Sequence, residues 1–251
     1  MRGLAGKSVI VTGGGSGIGR AAVELLVDAG CMVTVADVDE AGSNVVVAAV
    51  NEAGKGCAQF IRTDVADEND VRAMVAAAIS WCGTLDGAIN AAGVAQHAKL
   101  LHELSSTEWD RCVNINLRGV FLCMKYQIEE MLKRDGGAIV AISSIAAVLG
   151  LVNSAEYCAS KAGVTGLVRA AAIDYANKGI RVNALLPGAT RTPLAMRSLS
   201  MKPKDVGPMP VPMGRMAEPI EIARGAVWMI SDEASYMTGS CMTLDAALSI
   251  A

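Results

Sequence analysis

The sequence predicts an α/β protein: a doubly wound parallel sheet of about seven strands with helices on both faces, in one domain spanning residues 1–251. Three observations lead there. Short apolar runs alternate along the chain with segments of helical length and period, which is the β-α-β pattern of a parallel sheet. The runs are continuously apolar, as strands covered on both faces are, rather than alternating apolar and polar. With 251 residues, 52% of them hydrophobic and 19% charged, the chain can bury roughly three quarters of its unfolded surface without a disulfide or metal.

The elements follow in order. Residues 8–12 form a compact apolar strand signal, followed at once by Gly13-Gly14-Gly15-Ser16-Gly17. A helical pattern then sets Ile18, Ala22, Leu25, Leu26 and Ala29 on one face, and Gly30 stops it as the residue after the C-cap. The second strand is read at 32–36. Val71, Met74, Val75, Ala78, Ile79 and Cys82 recur at spacings of three and four, an amphipathic helix. Further strands are read at 59–63, 87–90, 138–143, 181–186 and 240–244, with helical segments between them. Residues 193–213 break the pattern with five of the seven prolines and four methionines. Connections this long inside a compact domain often serve as lids, so 193–215 is expected to be a substrate lid loop, its methionines giving adaptable apolar contacts.

Composition excludes several functions. The net charge is −3 and no run of Lys or Arg forms a patch, so neither nucleic acid nor an anionic membrane surface is an expected partner. No apolar stretch reaches the ~20 residues of a transmembrane helix, and residues 1–7 lack the apolar core of a signal peptide. Seven scattered cysteines without a CxxC pair are the pattern of reduced thiols, which predicts a cytoplasmic protein. Two histidines and no Cys/His cluster predict no metal site.

Two constellations carry chemistry. Strand, glycine loop and helix at the N-terminus make a phosphate-binding arrangement: glycines permit close backbone approach, and the helix N-terminus offers free N–H groups and a positive dipole end. The spacing is Gly13-x-x-x-Gly17-x-Gly19 rather than GxGxxG, because position 18 is Ile. Asp37, 20 residues after Gly17 and at the end of the second strand, is placed to accept both ribose hydroxyls of an adenosine. Alone it would read as a solvated strand-end carboxylate; joined to the loop it reads as a ribose ligand. The second constellation is Tyr157-Cys158-Ala159-Ser160-Lys161, where a spacing of four sets Lys161 beside the phenol on one helix face. Ser143 and Ser144 end a strand just before it, where an open α/β sheet puts its active site. Read without the rest, these would be a surface tyrosine with a snorkelling lysine, and turn serines.

Together these motifs resemble the short-chain dehydrogenase/reductase family of ~250 residues, and the resemblance covers nearly the whole chain. Residues 12–19 resemble its TGxxxGxG loop, Asp64 and Val65 its adenine-contacting pair, and Asn90-Ala91-Ala92-Gly93 its NNAG stretch. Asn116 falls at the family's catalytic Asn, Ser144 at its catalytic Ser, 13 residues before Tyr157, and Tyr157 with Lys161 matches YxxxK. Pro187-Gly188-Ala189-Thr190-Arg191-Thr192 resembles the motif holding the nicotinamide end. The resemblance implies a Rossmann-like fold, catalytic residues Asn116, Ser144, Tyr157 and Lys161, and a cofactor held by Gly13, Ser16, Gly17, Ile18, Gly19, Asp37, Val38, Asp64, Val65, Asn90, Tyr157, Lys161, Pro187, Gly188, Thr190 and Thr192. It also implies a homotetramer or homodimer. Two departures stand out: Ala91 replaces an Asn thought to brace the central sheet, and Asp245-Ala246-Ala247 stands where the family often has Asp-Gly-Gly.

The implied reaction is hydride transfer between a nicotinamide and a carbinol or carbonyl carbon. A free Tyr has a pKa near ~10, so Lys161 and the cationic nicotinamide are together expected to lower that of Tyr157, Ser144 to hydrogen-bond the substrate oxygen, and Asn116 to hold a water that relays the proton. NAD is the expected cofactor, since Asp37 would repel a 2′-phosphate and Val38 offers no cation. By analogy the small-molecule substrate meets Val94, Gln96, Ile145, Leu149, Val152, Asn153, Leu194 and Met196, mostly apolar. A medium-sized apolar secondary alcohol or ketone follows: alicyclic, aromatic or terpenoid/steroid-like. The alternatives are a 3-oxoacyl-thioester reductase, a sugar or polyol dehydrogenase, and an NAD-binding regulator or scaffold without turnover.

Overall fold

The structure, a computed structural model, describes residues 1–53, 55–134, 136–201 and 210–251. Its frame is a seven-stranded sheet in the order β3-β2-β1-β4-β5-β6-β7. The strands are β1 (Ser8–Thr12), β2 (Met32–Asp37), β3 (Cys57–Arg62), β4 (Gly87–Asn90), β5 (Gly137–Ile142), β6 (Ile180–Pro187) and β7 (Cys241–Leu244), and every pairing is parallel. All residues of β1 and β4 are buried, which is why these strands read as unbroken apolar runs. The third strand begins two residues earlier than the sequence suggests, because Cys57 and Ala58 pair with Met32 and Val33.

Helices α1 (Gly17–Asp28), α2 (Glu40–Ala53) and α8 (Pro219–Ile230) cover one face, around Val23, Leu26, Val46 and Val227. On the other face lie α3 (Glu68–Cys82), α5 (Gly119–Met131) and α6 (Ala155–Tyr175), around Met74, Leu122, Met131 and Val168. Helix α1 ends as read: Gly30 has φ +86, its N–H donates to Val27 O at 2.9 Å, and Cys31 N–H donates to Leu26 O at 3.0 Å. These two bonds satisfy carbonyls that the helix end would otherwise leave unpaired.

Helix α4 (Ser106–Val113) runs into α5 through one wide π-helical turn at Asn114–Arg118, and such turns cluster at functional sites. Asn116 lies in it. Strand β4 is tied to α5 by a reciprocal amide pair, Asn90 and Gln127 exchanging two bonds of 2.9 Å in the core. That pair braces the centre of the sheet where Ala91 has no side-chain amide.

The expected loop at 193–215 begins instead as helix α7 (Pro193–Met201). Its start was legible: Thr192 Oγ1 accepts from Ala195 N–H at 3.1 Å, and Pro193 takes the first helical position. Residues 202–209, at the centre of the expected lid, lie outside the described residues. Among the described residues no helix is long and apolar enough to cross a membrane.

Candidate active site

The sheet order reverses between β1 and β4, so the connections leaving their C-terminal ends part to opposite faces and open a crevice there. A cavity of about 1230 Å3 fills that crevice. Its floor at one end is the glycine loop. Gly13 has φ +69, and a Cβ there would stand 2.8 Å from Ala92 N, while one at Gly19 would collide with the Gly13 carbonyl. Only bare backbone fits, and it leaves the α1 N-terminus open to the cavity. Asp37 closes this end: Oδ2 accepts from Gly15 N–H and Oδ1 from Asp39 N–H, each at 3.0 Å. The carboxylate is thereby fixed beside the loop, with Asp64 and Val65 also on the cavity wall.

At the other end the two strand-end serines part company. Ser143 Oγ donates inward to Lys161 O at 2.9 Å. Ser144 faces the cavity and its Oγ accepts from Ala146 N–H at 3.1 Å, capping a short 3₁₀ turn. Lys161 is buried, donates from Nζ to Ile142 O at 2.9 Å, and lies 5.7 Å from the Tyr157 ring centroid. Burial pushes the Tyr157 phenol up to about 12, against the downward pull of the Ser144 hydroxyl. Burial likewise holds Lys161 down at about 8. The Lys161 ammonium is turned to the Ile142 carbonyl, and burial of both groups works against their charged forms.

Asn116 is fully buried and lies behind the wall. Its Oδ1 accepts from Val94 N–H at 2.8 Å and its Nδ2 donates to Val94 O at 3.0 Å. The side-chain amide holds the segment after β4 in place. Asn90 is paired with Gln127 in the core and does not reach the cavity. The other residues expected to hold the cofactor all line it: Gly13, Ser16, Gly17, Ile18, Gly19, Asp37, Val38, Asp64, Val65, Tyr157, Lys161, Pro187, Gly188, Thr190 and Thr192.

Of the expected substrate contacts, Val94, Gln96, Ile145, Val152 and Leu194 line the cavity; Leu149, Asn153 and Met196 do not. Met196 fails for a periodic reason. In a helix, Leu194, Ala195, Ser198 and Leu199 share the face turned to the cavity, while Met196 points away and is exposed. Several residues were missed: Ser198, Leu199 and Leu248 on the wall, and the exposed Arg111 at the mouth, where Arg197 also lies. Reading 193–201 as a helix would have found the first two. Glu156, fully buried one residue before Tyr157, was missed as well. Its Oε1 accepts from His97 N–H at 2.7 Å and faces His97 Nδ1 at 3.2 Å, so His97 is a tether of its own loop and does not line the cavity.

A family profile described as enoyl-(acyl carrier protein) reductase matches residues 13–249. The chain is 48% identical over 252 residues to 2,5-dichloro-2,5-cyclohexadiene-1,4-diol dehydrogenase of Sphingobium indicum, covering 98% of each protein. To cyclohexanol dehydrogenase of an Acinetobacter species it is 39% identical, covering 96% of this chain and 94% of that protein. The crystal structure of levodione reductase superposes with a TM-score of 0.95 at 33% identity, over 98% of this chain and 99% of that one. A 3-ketoacyl-(acyl-carrier-protein) reductase from Brucella melitensis, solved with NADH, gives a TM-score of 0.90 at 32% identity, over 98% and 100%. A nicotinamide-sized crevice, a Ser-Tyr-Lys cluster at its end and this chain-long similarity make the protein a member of the short-chain dehydrogenase/reductase family, oxidoreductases acting on CH–OH groups with a nicotinamide cofactor.

Proposed function

We propose that the protein is an NAD-dependent dehydrogenase of secondary alcohols on alicyclic rings. The observation that carries this reading is one cavity with Asp37 fixed beside the glycine loop at one end and Ser144, Tyr157 and Lys161 at the other. The wall between is largely apolar, with Val94, Ile145, Val152, Leu194 and Leu248. The relatives named for cyclohexanol and a cyclohexadienediol support a six-membered carbocycle as the substrate.

The cofactor fits the residues present: a Cβ would fill the cradle at Gly13 or Gly19, and the open α1 N-terminus suits a pyrophosphate. Asp37 would hold the adenosine ribose, Asp64 and Val65 the adenine, Lys161 the second ribose, and Pro187, Gly188, Thr190 and Thr192 the nicotinamide end. When bound, the nicotinamide supplies the redox half of the reaction, accepting hydride from the carbinol carbon or returning it. Tyr157 exchanges a proton with the substrate oxygen: as the phenol it donates in ketone reduction, and in alcohol oxidation it takes the hydroxyl proton as the phenolate, the form that the Lys161 ammonium and a cationic nicotinamide beside it would favour. Ser144 hydrogen-bonds the substrate oxygen so that the developing charge is met by a fixed donor. Asn116 acts through Val94, holding the wall in place. Helix α7, whose inner face lines the cavity, acts as the substrate lid. Seven free thiols suit a reducing, cytosolic setting.

NAD rather than NADP follows from charge. Hydrogen bonds from ribose hydroxyls to a carboxylate contribute ~1.5–3 kcal/mol, whereas a 2′-phosphate ~4 Å away at an effective dielectric of ~20 meets repulsion on the order of 4 kcal/mol, less where water screens it. Together these favour NAD by roughly a hundredfold or more. The ratio of kcat/KM for the two cofactors, measured with cyclohexanol, tests this. Asp37→Ser should bring that ratio below about tenfold; equal use of both cofactors by the wild type would refute the assignment.

A further inference from the structure

Among the described residues, the one buried side-chain amide that lines the cavity is Gln96, only 8% exposed. It is held from both flanks. Two residues before it, the Val94 backbone is clamped in both directions by the Asn116 amide, at 2.8 and 3.0 Å. One residue after it, His97 N–H is bound at 2.7 Å by the buried Glu156 carboxylate. The backbone carrying Gln96 therefore cannot swing away. Its Nε2 donates to Ser198 Oγ on the inner face of α7, so wall and lid helix meet at this pair.

The pair is not saturated. An amide has two N–H donors and a carbonyl acceptor, and a hydroxyl has a donor and lone pairs. The one bond between them leaves an N–H, a C=O and an O–H. Among the described residues neither side chain makes a further hydrogen bond, and neither bonds to Ser144, Tyr157 or Lys161. Ile145, Val152, Leu194 and Leu199 line the same cavity. A purely hydrocarbon ring here would strip water from these groups and return nothing; an oxygen would satisfy them.

We propose that Gln96 and Ser198 form a second polar subsite that reads a neutral oxygen, hydroxyl or keto, on the substrate ring away from the reacting carbinol. This rests on the ring-alcohol reading above and narrows it to ring diols and hydroxyketones. The subsite is neutral; Arg111 and Arg197 lie at the exposed mouth, so a ring carboxylate is the competing class.

The test is kcat/KM with NAD for cyclohexanol, the 1,2-, 1,3- and 1,4-cyclohexanediols and 4-hydroxycyclohexanecarboxylate, in wild type, Gln96→Met and Ser198→Ala. The wild type should prefer at least one diol over cyclohexanol by about ten- to a hundredfold, mainly through KM, the range that one or two net hydrogen bonds of ~1–1.5 kcal/mol give. In Gln96→Met that preference should fall to about threefold or less, and in Ser198→Ala it should be reduced. Should Gln96→Met fail to fold, the more accessible Ser198→Ala gives the same ratio. No diol preference in the wild type, an unchanged one in the folded variants, or a stronger preference for the carboxylate would overturn the subsite while leaving ring-alcohol oxidation standing. A wild type that oxidises no ring alcohol would instead remove the underlying reading, and the subsite with it.

Discussion

At the scale of single residues, the chemistry rests on two buried groups whose burial works against their charged forms. Tyr157 is pushed up to about 12, so the resting phenol is protonated and ready to act as a donor in ketone reduction. Tyr157→Phe should leave the fold and NAD binding intact, since it removes one oxygen, and lower turnover by ~10²–10⁴-fold; a purified variant retaining a third of the wild-type rate would contradict the role. Lys161, held down at about 8, carries a stability consequence. Its folded value lies below the ordinary 10.5, so the folded state resists the charged form. The cost is full below pH 8 and fades as pH rises toward 10.5. Lys161→Met should therefore abolish turnover yet be more stable than wild type at pH 6, by up to about 3 kcal/mol. The gain should shrink by pH 9.5, and urea unfolding at the two pH values would show it.

Elements decide how those residues are presented. The π-helical turn between α4 and α5 sets Asn116 against Val94, and the start of α7 puts Ser198 over the cavity. The turn after β7 concentrates backbone strain in two adjacent residues. Ala246 and Ala247 both adopt left-handed backbone, φ +56 and +67, where the family often has glycines. The turn is held by Asp245, which accepts from Ala247 N–H at 3.1 Å and Ser249 N–H at 2.7 Å, and it carries Leu248 to the cavity wall. Left-handed backbone costs a residue with a Cβ roughly 1–2 kcal/mol, and glycine nothing comparable. Part of the gain from glycine is offset by its freer unfolded chain. Ala246→Gly and Ala247→Gly should each stabilise by about 1 kcal/mol in denaturant unfolding; destabilisation by either would show that the methyl groups pack usefully.

For the whole molecule, the outer surface bears on assembly. Val164, Val168, Ala171 and Ala172 of α6 pack on the protein's own core, so the apolar richness of that helix is mostly internal. Phe121 on α5 and Ile173 on α6 nevertheless project outward, 44% and 82% exposed, and Trp109 and Leu132 lie partly exposed on the same helical layer. Apolar groups of this size on two core helices favour burial against a second copy. We expect a homotetramer built partly on α5 and α6. Sedimentation at micromolar concentration should give a mass four times that of the chain, and Phe121→Glu should lower it; a wild-type monomer would contradict the expectation.

The amino-acid sequence determined the sheet and the cofactor end of the site, because both are encoded locally. Continuous apolar runs specify strands covered on two faces. Gly13, Gly17, Gly19 and Asp37 act through backbone and strand-end positions that lie close along the chain, and Tyr157 and Lys161 are joined by one helical turn. Tertiary structure alone decided the rest. Ser143 and Ser144 are adjacent and alike in sequence and both line the cavity, yet only tertiary packing turns the Ser143 hydroxyl to the Lys161 carbonyl while that of Ser144 caps the next turn. The amide of Asn90 found Gln127, 37 residues away, and so left the cavity it was expected to line, while the amide of Asn116 found Val94, 22 residues away. Gln96 met Ser198 across 102 residues. The pKa values of Tyr157 and Lys161 belong with these, because desolvation depends on everything packed around a group and on nothing written beside it in the chain.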